Sequence, residues 1–113
     1  MHELSITRSI LEIVDKELAR HGVASLKRLK VRIGELTAVE PEALRFCFEA
    51  CLKGTPHEGA LLDIEDVPLV GRCVECSAEF RMEYILQACP ECEGVSVTKT
   101  NGHELDIVSM EAE

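Results

Sequence analysis

Two Cys-x-x-Cys pairs, Cys73–Cys76 and Cys89–Cys92, lie twelve residues apart and constrain this chain more than any other feature. The two-residue spacer lets a tight turn direct both sulfurs of a pair toward one point, and the intervening twelve residues are long enough for a hairpin. Four thiolates at this spacing are typical of closed, tetrahedral zinc sites with sulfur about 2.3 Å from the ion. Iron uses the same ligands and is the main alternative ion. The spacing therefore predicts a structural tetrathiolate zinc site.

Composition and charge restrict the remaining possibilities. The chain has 113 residues, which suits one compact unit carrying a small metal module. Its formal net charge of −9 argues against a nucleic-acid-binding zinc ribbon, because phosphate contacts require clustered Lys and Arg. No segment has the length of a membrane span, and the charged residues Glu3, Glu12, Asp15 and Lys16 argue against a signal peptide. We therefore expect a cytoplasmic protein whose cysteines bind metal in a reducing compartment.

Apolar periodicity predicts two helices. In the first, over residues 4–21, one half of the helical wheel carries the apolar residues, which are Leu4, Ile6, Ile10, Leu11, Ile13, Val14 and Leu18. The second begins at Pro41 and ends near Gly54, with an apolar stripe of Leu44, Cys47, Phe48, Cys51 and Leu52. Cys47 and Cys51, four residues apart, could ligate a metal. Their central position in the stripe favours packing instead.

Three short alternating segments predict strands, centred on Leu29–Ile33, Leu62–Ile64 and Leu105–Ile107. The element order predicts an α+β fold: a small three-stranded antiparallel sheet with two helices on one face, plus an inserted rubredoxin/zinc-ribbon-like module. Residues 1–69 and 103–113 would form the α+β domain, and residues 70–102 the zinc-binding module, with a short strand after its second cysteine pair. The loop that contains His57 is expected to leave this side chain solvated.

The extreme N-terminus, Met1-His2-Glu3, contains a histidine at position 2. Its imidazole, its own amide nitrogen and a terminal amine can form fused chelate rings around one ion, and nitrogen-rich square-planar coordination favours Ni(II) or Cu(II). The positive end of the adjacent helix opposes a cation there. A motif this short also fits an ordinary solvated terminus, so spacing alone leaves both interpretations open.

Taken together, several segments resemble the HypA/HybF family of nickel metallochaperones in [NiFe]-hydrogenase maturation. These segments are the Met1-His2-Glu3-Leu4-Ser5 start, Ile33-Gly34-Glu35-Leu36, the two Cys-x-x-Cys pairs, and the tail from Gly102-His103-Glu104-Leu105 through Met110-Glu111. The resemblance runs along the whole chain in the right order.

The resemblance implies a nickel site at His2, with the terminal amine of Met1 and the backbone nitrogens of His2 and Glu3 as further donors. It implies an acidic ligand at the position of Glu40, where some members have Asp. It also implies a separate zinc site at Cys73, Cys76, Cys89 and Cys92. The implied partners are a HypB-like nickel-binding GTPase, the hydrogenase large-subunit precursor and, for some members, urease maturation proteins.

The predicted function is metal delivery rather than catalysis, because the sequence shows neither a nucleophile with its base nor a phosphate-binding loop. Ni(II) would be the transferred cargo and Zn(II) a structural ion, with no nucleic acid or membrane as partner. Two alternatives come from other classes. One is an acidic zinc-ribbon adaptor that binds only protein, and the other is a rubredoxin-like iron electron carrier.

Overall fold

The computed structural model describes residues 3–113, which form two α-helices, one short 3-10 helix (Glu35–Thr37) and six strands. In chain order these are α1 (Glu3–His21), β1 (Leu26–Gly34), α2 (Pro41–Leu52), β2 (Leu61–Val67), β3 (Val70–Cys73), β4 (Glu79–Arg81), β5 (Val97–Asn101) and β6 (Leu105–Ala112). Two compact units result. The helical unit comprises the chain up to Arg32, Val39–Glu65 and Asp106–Glu113, and the cysteine unit comprises Ile33–Ala38 and Asp66–Leu105. No helix in the described range is long and apolar enough to cross a membrane.

Helix α1 confirms the first predicted helix but buries a narrower stripe than its sequence indicates. Its buried side chains are Ile6, Thr7, Ile10, Val14 and Leu18. Leu4 and Ile13 lie outside this stripe and are exposed. Thr7 occupies a core position because its hydroxyl donates a hydrogen bond of 2.8 Å to the Glu3 carbonyl, so its polar group is satisfied within the helix.

Helix α2 begins at Pro41, as predicted, and packs Leu44, Phe48 and Leu52 into the core. Proline suits this first position because its missing N–H would have no acceptor within the helix. Cys47 and Cys51 flank the buried stripe and are each half-buried free thiols. They therefore lie at the edge of the packed surface rather than in its centre.

The first sheet has the strand order β2-β1-β6 and separates an apolar face from a charged one. Leu29, Val31 and Ile33 of β1 are buried. The alternate residues of β1 are charged and form ion pairs with residues of the two neighbouring strands. These pairs are Arg28–Asp63, Lys30–Glu65 and Arg32–Asp106. The three strands of this sheet and the two helices are present as predicted.

Strand directions differ within this sheet. Ser25 and Glu113 exchange backbone hydrogen bonds, and Gly34 N–H donates to the Glu104 carbonyl, so β1 and β6 are antiparallel. In contrast, Arg28 of β1 pairs with Asp63 of β2, and Lys30, two residues later, pairs with Glu65, also two residues later. Residue numbers therefore increase in the same direction along both strands, which makes β1 and β2 parallel. Helix α2 is the crossover that a parallel pair requires. The prediction of an antiparallel sheet therefore does not extend to the β1–β2 pair.

The prediction of a solvated His57 is wrong. Its side chain is buried, with Nδ1 accepting a hydrogen bond of 3.0 Å from the Leu26 N–H. Nε2 lies 2.9 Å from Asp15 Oδ1 and carries the proton, because Nδ1 is occupied as an acceptor. The loop after α2 therefore supplies an acceptor to the first amide of β1, which the sequence pattern does not reveal.

The cysteine unit contains a second sheet with the order β4-β3-β5, in which both pairs are antiparallel. The predicted strand after the second cysteine pair is present as β5. Strands β3 and β4 form a hairpin with the first cysteine pair at its turn. The sequence predicted a hairpin between the two cysteine pairs instead. Gly71 of β3 lies against Met82 and Val97, and a Cβ atom at this position would collide with both side chains.

The segment Ile33–Ala38 follows β1 and belongs to the cysteine unit. Leu36 N–H donates to the Gly102 carbonyl at 2.7 Å. The Glu35 carboxylate accepts hydrogen bonds from Leu69 N–H at 3.2 Å and from Arg81 at 2.9 Å. These bonds lower the pKa of Glu35, the Leu69 amide being the largest cause and Arg81 the next. One carboxylate thus ties this segment to two later parts of the unit.

Candidate metal centre

The four cysteines predicted as ligands lie together in the cysteine unit. Their sulfur atoms all lie within 4.8 Å of one another, with 3.5 Å between Cys73 and Cys92 and 3.6 Å between Cys76 and Cys89. These distances exceed a disulfide bond of about 2.05 Å. A tetrahedral ion with sulfur ligands at about 2.3 Å separates its sulfurs by about 3.8 Å. The arrangement therefore fits one divalent cation among four sulfurs.

The two cysteine pairs adopt the same backbone turn. In the first, Ser77 N–H donates to the Cys73 carbonyl at 3.0 Å and Cys73 N–H donates to the Ala78 carbonyl at 2.9 Å. In the second, Glu93 N–H donates to the Cys89 carbonyl at 2.9 Å, and Cys89 N–H donates to the Gly94 carbonyl at 2.8 Å. The first cysteine of each pair is buried, and the second is exposed.

Each turn requires a left-handed backbone just after its second cysteine. Ser77 and Glu93 have φ values of 63° and 65°, although neither is glycine. The next position differs between the turns, with Ala78 in the first and Gly94 in the second. The Glu75 carboxylate from the first turn lies against Gly94, where a Cβ atom would collide with it. That carboxylate ends a flexible, exposed side chain that can move aside, but a Cβ atom would also lie 3.2 Å from Cys92 Sγ, so glycine suits this close approach, which the motif spacing did not identify.

Backbone amides and neighbouring sulfurs shift the pKa values of Cys73, Cys76 and Cys92 in different directions. The backbone N–H of Cys76 is the main cause that lowers the pKa of Cys73 to about 7, against the opposing effect of desolvation. The Gly94 N–H favours the Cys92 thiolate, but the sulfurs of Cys73 and Cys76 outweigh it and raise the pKa of Cys92 to about 12. The Ala78 N–H acts in the same way on Cys76, where desolvation and Cys89 prevail and raise the pKa. Metal binding requires the thiolate form of each cysteine ligand, and a cation among the sulfurs would favour that form.

The residues predicted for nickel are placed only in part. Met1 and His2 lie outside the described residues. Glu3 is the first residue of α1, and Glu40 lies immediately before α2. The exposed side chain of Glu40 makes no hydrogen bond to the helix that follows. Within residues 3–113, only the four cysteines form a close group of three or more His, Cys, Asp or Glu side chains, and neither Glu3 nor Glu40 belongs to it.

Comparison with known proteins supplies the family. Residues 1–112 match the model of the family described as HypA, hydrogenase/urease nickel incorporation, metallochaperone. The hydrogenase maturation factor HypA of Desulfitobacterium hafniense (strain DSM 10664 / DCB-2) is 42% identical over 113 residues, covering 100% of this chain and 99% of that protein. HypA of Chlorobium limicola is 40% identical, with coverage of 100% and 97%.

Solved structures agree with this match. The solution structure of the Ni metallochaperone HypA from Helicobacter pylori superposes with a TM-score of 0.67 at 26% identity, covering 99% of this chain and 97% of that one. A second HypA solution structure gives a TM-score of 0.73 at 26% identity, with coverage of 100% and 97%. The chain belongs to the HypA family, whose members are nickel-incorporation metallochaperones and not enzymes.

Proposed function

We propose that this protein binds Ni(II) at its N-terminus and delivers it to the large-subunit precursor of [NiFe]-hydrogenase, while Zn(II) holds the four cysteines together. The observation that carries this proposal is the family match, which begins at residue 1 and so includes the Met1-His2-Glu3 start. The family description names nickel incorporation, and the relatives are hydrogenase maturation factors.

The tetracysteine group is poorly suited to carrying cargo. Four sulfurs around one point leave no open coordination position, which is the arrangement of structural rather than exchangeable zinc. Metal binding at such a site is coupled to folding, so releasing the ion would cost the folding free energy of the surrounding unit. A delivered ion therefore needs a second site with ligands that release it more easily.

The N-terminus offers ligands of that kind. The imidazole and amide nitrogen of His2, the terminal amine of Met1 and the amide nitrogen of Glu3 are the donors we propose, with Glu40 as a carboxylate ligand. Helix α1 begins at Glu3, and amides in the first turn of a helix have no acceptor within the helix. Amide donors that are reprotonated on release would make the affinity for nickel fall as the pH falls.

The partners we propose are a HypB-like nickel-binding GTPase, which would exchange nickel with this protein, and the hydrogenase precursor that receives it. Urease maturation proteins are a second destination, since the family description names both enzymes. We place the protein in the cytoplasm, where a reducing environment keeps the six free cysteines as thiols.

Equilibrium dialysis against Ni(II) of the native protein and His2→Ala tests the proposal. His21→Ala is the matched control, because His21 is an exposed histidine and is the last residue of α1. We expect His2→Ala to lose nickel binding while His21→Ala retains it, with one zinc per chain in all three proteins. Unchanged nickel affinity in His2→Ala would remove the proposed site. Iron instead of zinc in the protein as isolated would overturn the assignment of the structural ion.

A further inference from the structure

The turn between β4 and the second cysteine pair exposes three consecutive apolar side chains. Tyr84 is 61% exposed, Ile85 51% and Leu86 89%. We call residues 83–87 the apolar turn. Single exposed apolar residues are ordinary on protein surfaces, whereas large contiguous apolar patches are typical of interaction sites. None of the three is a metal ligand or a core residue, so the metal centre does not explain their presence.

Hydrogen bonds hold the apolar turn in shape. The side-chain oxygen of Gln87 accepts from Glu83 N–H at 2.7 Å, and Gln87 N–H donates to the Tyr84 carbonyl at 3.3 Å. Buried residues fix both flanks, with Met82 before the turn and Cys89 after it. The three apolar side chains are thus presented by an ordered backbone. An ordered surface loses less conformational entropy when a partner binds.

Charge restricts what this surface can bind. The cysteine unit contains eight Asp and Glu residues against three Lys and Arg, a net charge of −5. Two of the three basic residues are already in ion pairs, Arg72 with Glu79 and Arg81 with Glu35. A field of this sign repels nucleic acids, anionic membranes and a second copy of the same unit, and it attracts a basic protein surface.

We infer that the apolar turn is a docking site for a partner protein that presents apolar side chains within a basic surface. Tyr84 and Leu86 supply the apolar contact area at the centre, and the net negative charge of the cysteine unit attracts the partner during approach. None of its residues is among those proposed for nickel, and it extends the function from metal binding to partner recognition.

The test uses the full-length, zinc-loaded protein and a fluorescein-labelled amphipathic peptide of Leu and Lys. The comparison peptide has Glu at every Lys position. We expect the basic peptide to bind, with an affinity that falls as salt rises, and its amide shift changes to centre on residues 83–87. Leu86→Ser should weaken binding at least tenfold. Phe46→Ser is the matched control, because Phe46 is 73% exposed in the helical unit, and it should bind as the native protein does.

Equal binding of the two peptides, or equal binding by native protein and Leu86→Ser, would overturn the inference. So would a native dimer that Leu86→Ser converts to a monomer, because the occupant would then be a second copy of the chain. Gln87→Ala tests the ordered turn, since it keeps all three apolar side chains and removes the bond to Glu83 N–H. We expect a severalfold loss of affinity with unchanged zinc content. Unchanged affinity in this variant would contradict docking to the ordered turn.

Discussion

The helical unit and the cysteine unit are stabilised by different means. Sixteen buried hydrophobic residues lie within residues 3–113, eleven of them in the helical unit and five in the cysteine unit. Two of those five are Cys73 and Cys89, which are also metal-site residues. The helical unit therefore has an aliphatic core of its own. The cysteine unit has only Ile33, Leu69 and Met82 as buried apolar residues besides its sulfurs.

Under the proposed function, this difference gives two metals different roles in one small protein. A unit with so few buried apolar side chains needs another source of folding free energy, and a cation held by four thiolates supplies it. The helical unit has an aliphatic core of its own, so we expect that it folds without an ion and that the nickel ion proposed at the N-terminus can leave without unfolding it. Under the proposed function, zinc is therefore resident and nickel is transient.

Removing one zinc ligand should have the largest effect. We expect Cys76→Ser to lose zinc and the ordered structure of residues 66–105, because structural zinc contributes about 10–16 kcal/mol of apparent binding free energy in small metal-dependent domains. The helices should persist, as measured by far-ultraviolet circular dichroism, while the amide NMR signals of the cysteine unit lose dispersion. Two results would contradict the view that zinc stabilises the cysteine unit. One is a variant that retains one equivalent of zinc, and the other is a zinc-free variant whose cysteine unit still gives well-dispersed amide signals.

A substitution in the aliphatic core should destabilise the helical unit and leave the zinc site intact. Phe48 is 2% exposed in α2, and Phe48→Ala should destabilise the helical unit by about 3–5 kcal/mol through the cavity that it leaves. Urea unfolding followed by helix signal should show the loss, while zinc content stays at one per chain in the folded protein. Phe46→Ala, on the exposed side of the same helix, should leave the unfolding midpoint nearly unchanged. A similar loss in both variants would show that burial does not decide the effect.

His57 makes a smaller, polar contribution to the helical unit. We expect His57→Ala to cost about 1–3 kcal/mol, because it leaves the buried Leu26 N–H without its side-chain acceptor. Asp15→Ala should cost less, about 0–1 kcal/mol, because Asp15 is 66% exposed and its pair is screened by water. Urea midpoints of the two variants measure the difference. If Asp15→Ala lost more unfolding free energy than His57→Ala, the bond from Leu26 N–H to His57 would not be the more important of the two His57 hydrogen bonds.

Glu35 should give the cysteine unit a small pH dependence. Its pKa is lowered from 4.5 by the Leu69 N–H and by Arg81, so its stabilising effect is present above pH 4.5 and is lost as the pH falls through the lowered pKa. Hydrogen exchange of the Leu69 amide measures this directly. The native protein should lose protection at acidic pH, and Glu35→Gln should show lower protection at neutral pH with a weaker acid dependence. Identical profiles would exclude a role for this carboxylate.

Much of this structure could be predicted because periodicity and spacing are local signals. The apolar repeat of residues 4–21 predicts α1, the alternation around Leu29–Ile33 predicts β1, and Pro41 predicts the start of α2. The two Cys-x-x-Cys pairs predict the tetracysteine group, because their spacing admits few other arrangements. Each of these inferences needs only residues within a short segment.

The remainder depends on long-range contacts that no local pattern encodes. Alternation along β2 is the same whether it runs parallel or antiparallel to β1, so strand direction could not be predicted from it. The burial of His57 depends on Leu26 and Asp15, which lie 31 and 42 residues away in the chain. The left-handed backbone at Ser77 and Glu93 carries no glycine signal. Long-range partners and non-glycine turns are therefore where prediction failed.

Under the proposed function, the two metals occupy independent sites, with nickel bound at the N-terminus. The most direct test of this claim is a nickel titration, with zinc analysis, of the native protein and a variant carrying a short Gly-Ser extension before Met1. The extension keeps every side chain but moves the terminal amine away from His2. We predict a nickel affinity lower by orders of magnitude, because each lost 1.4 kcal/mol is about tenfold, with zinc still at one per chain. Nickel bound as tightly by the extended protein as by the native one would contradict the claim.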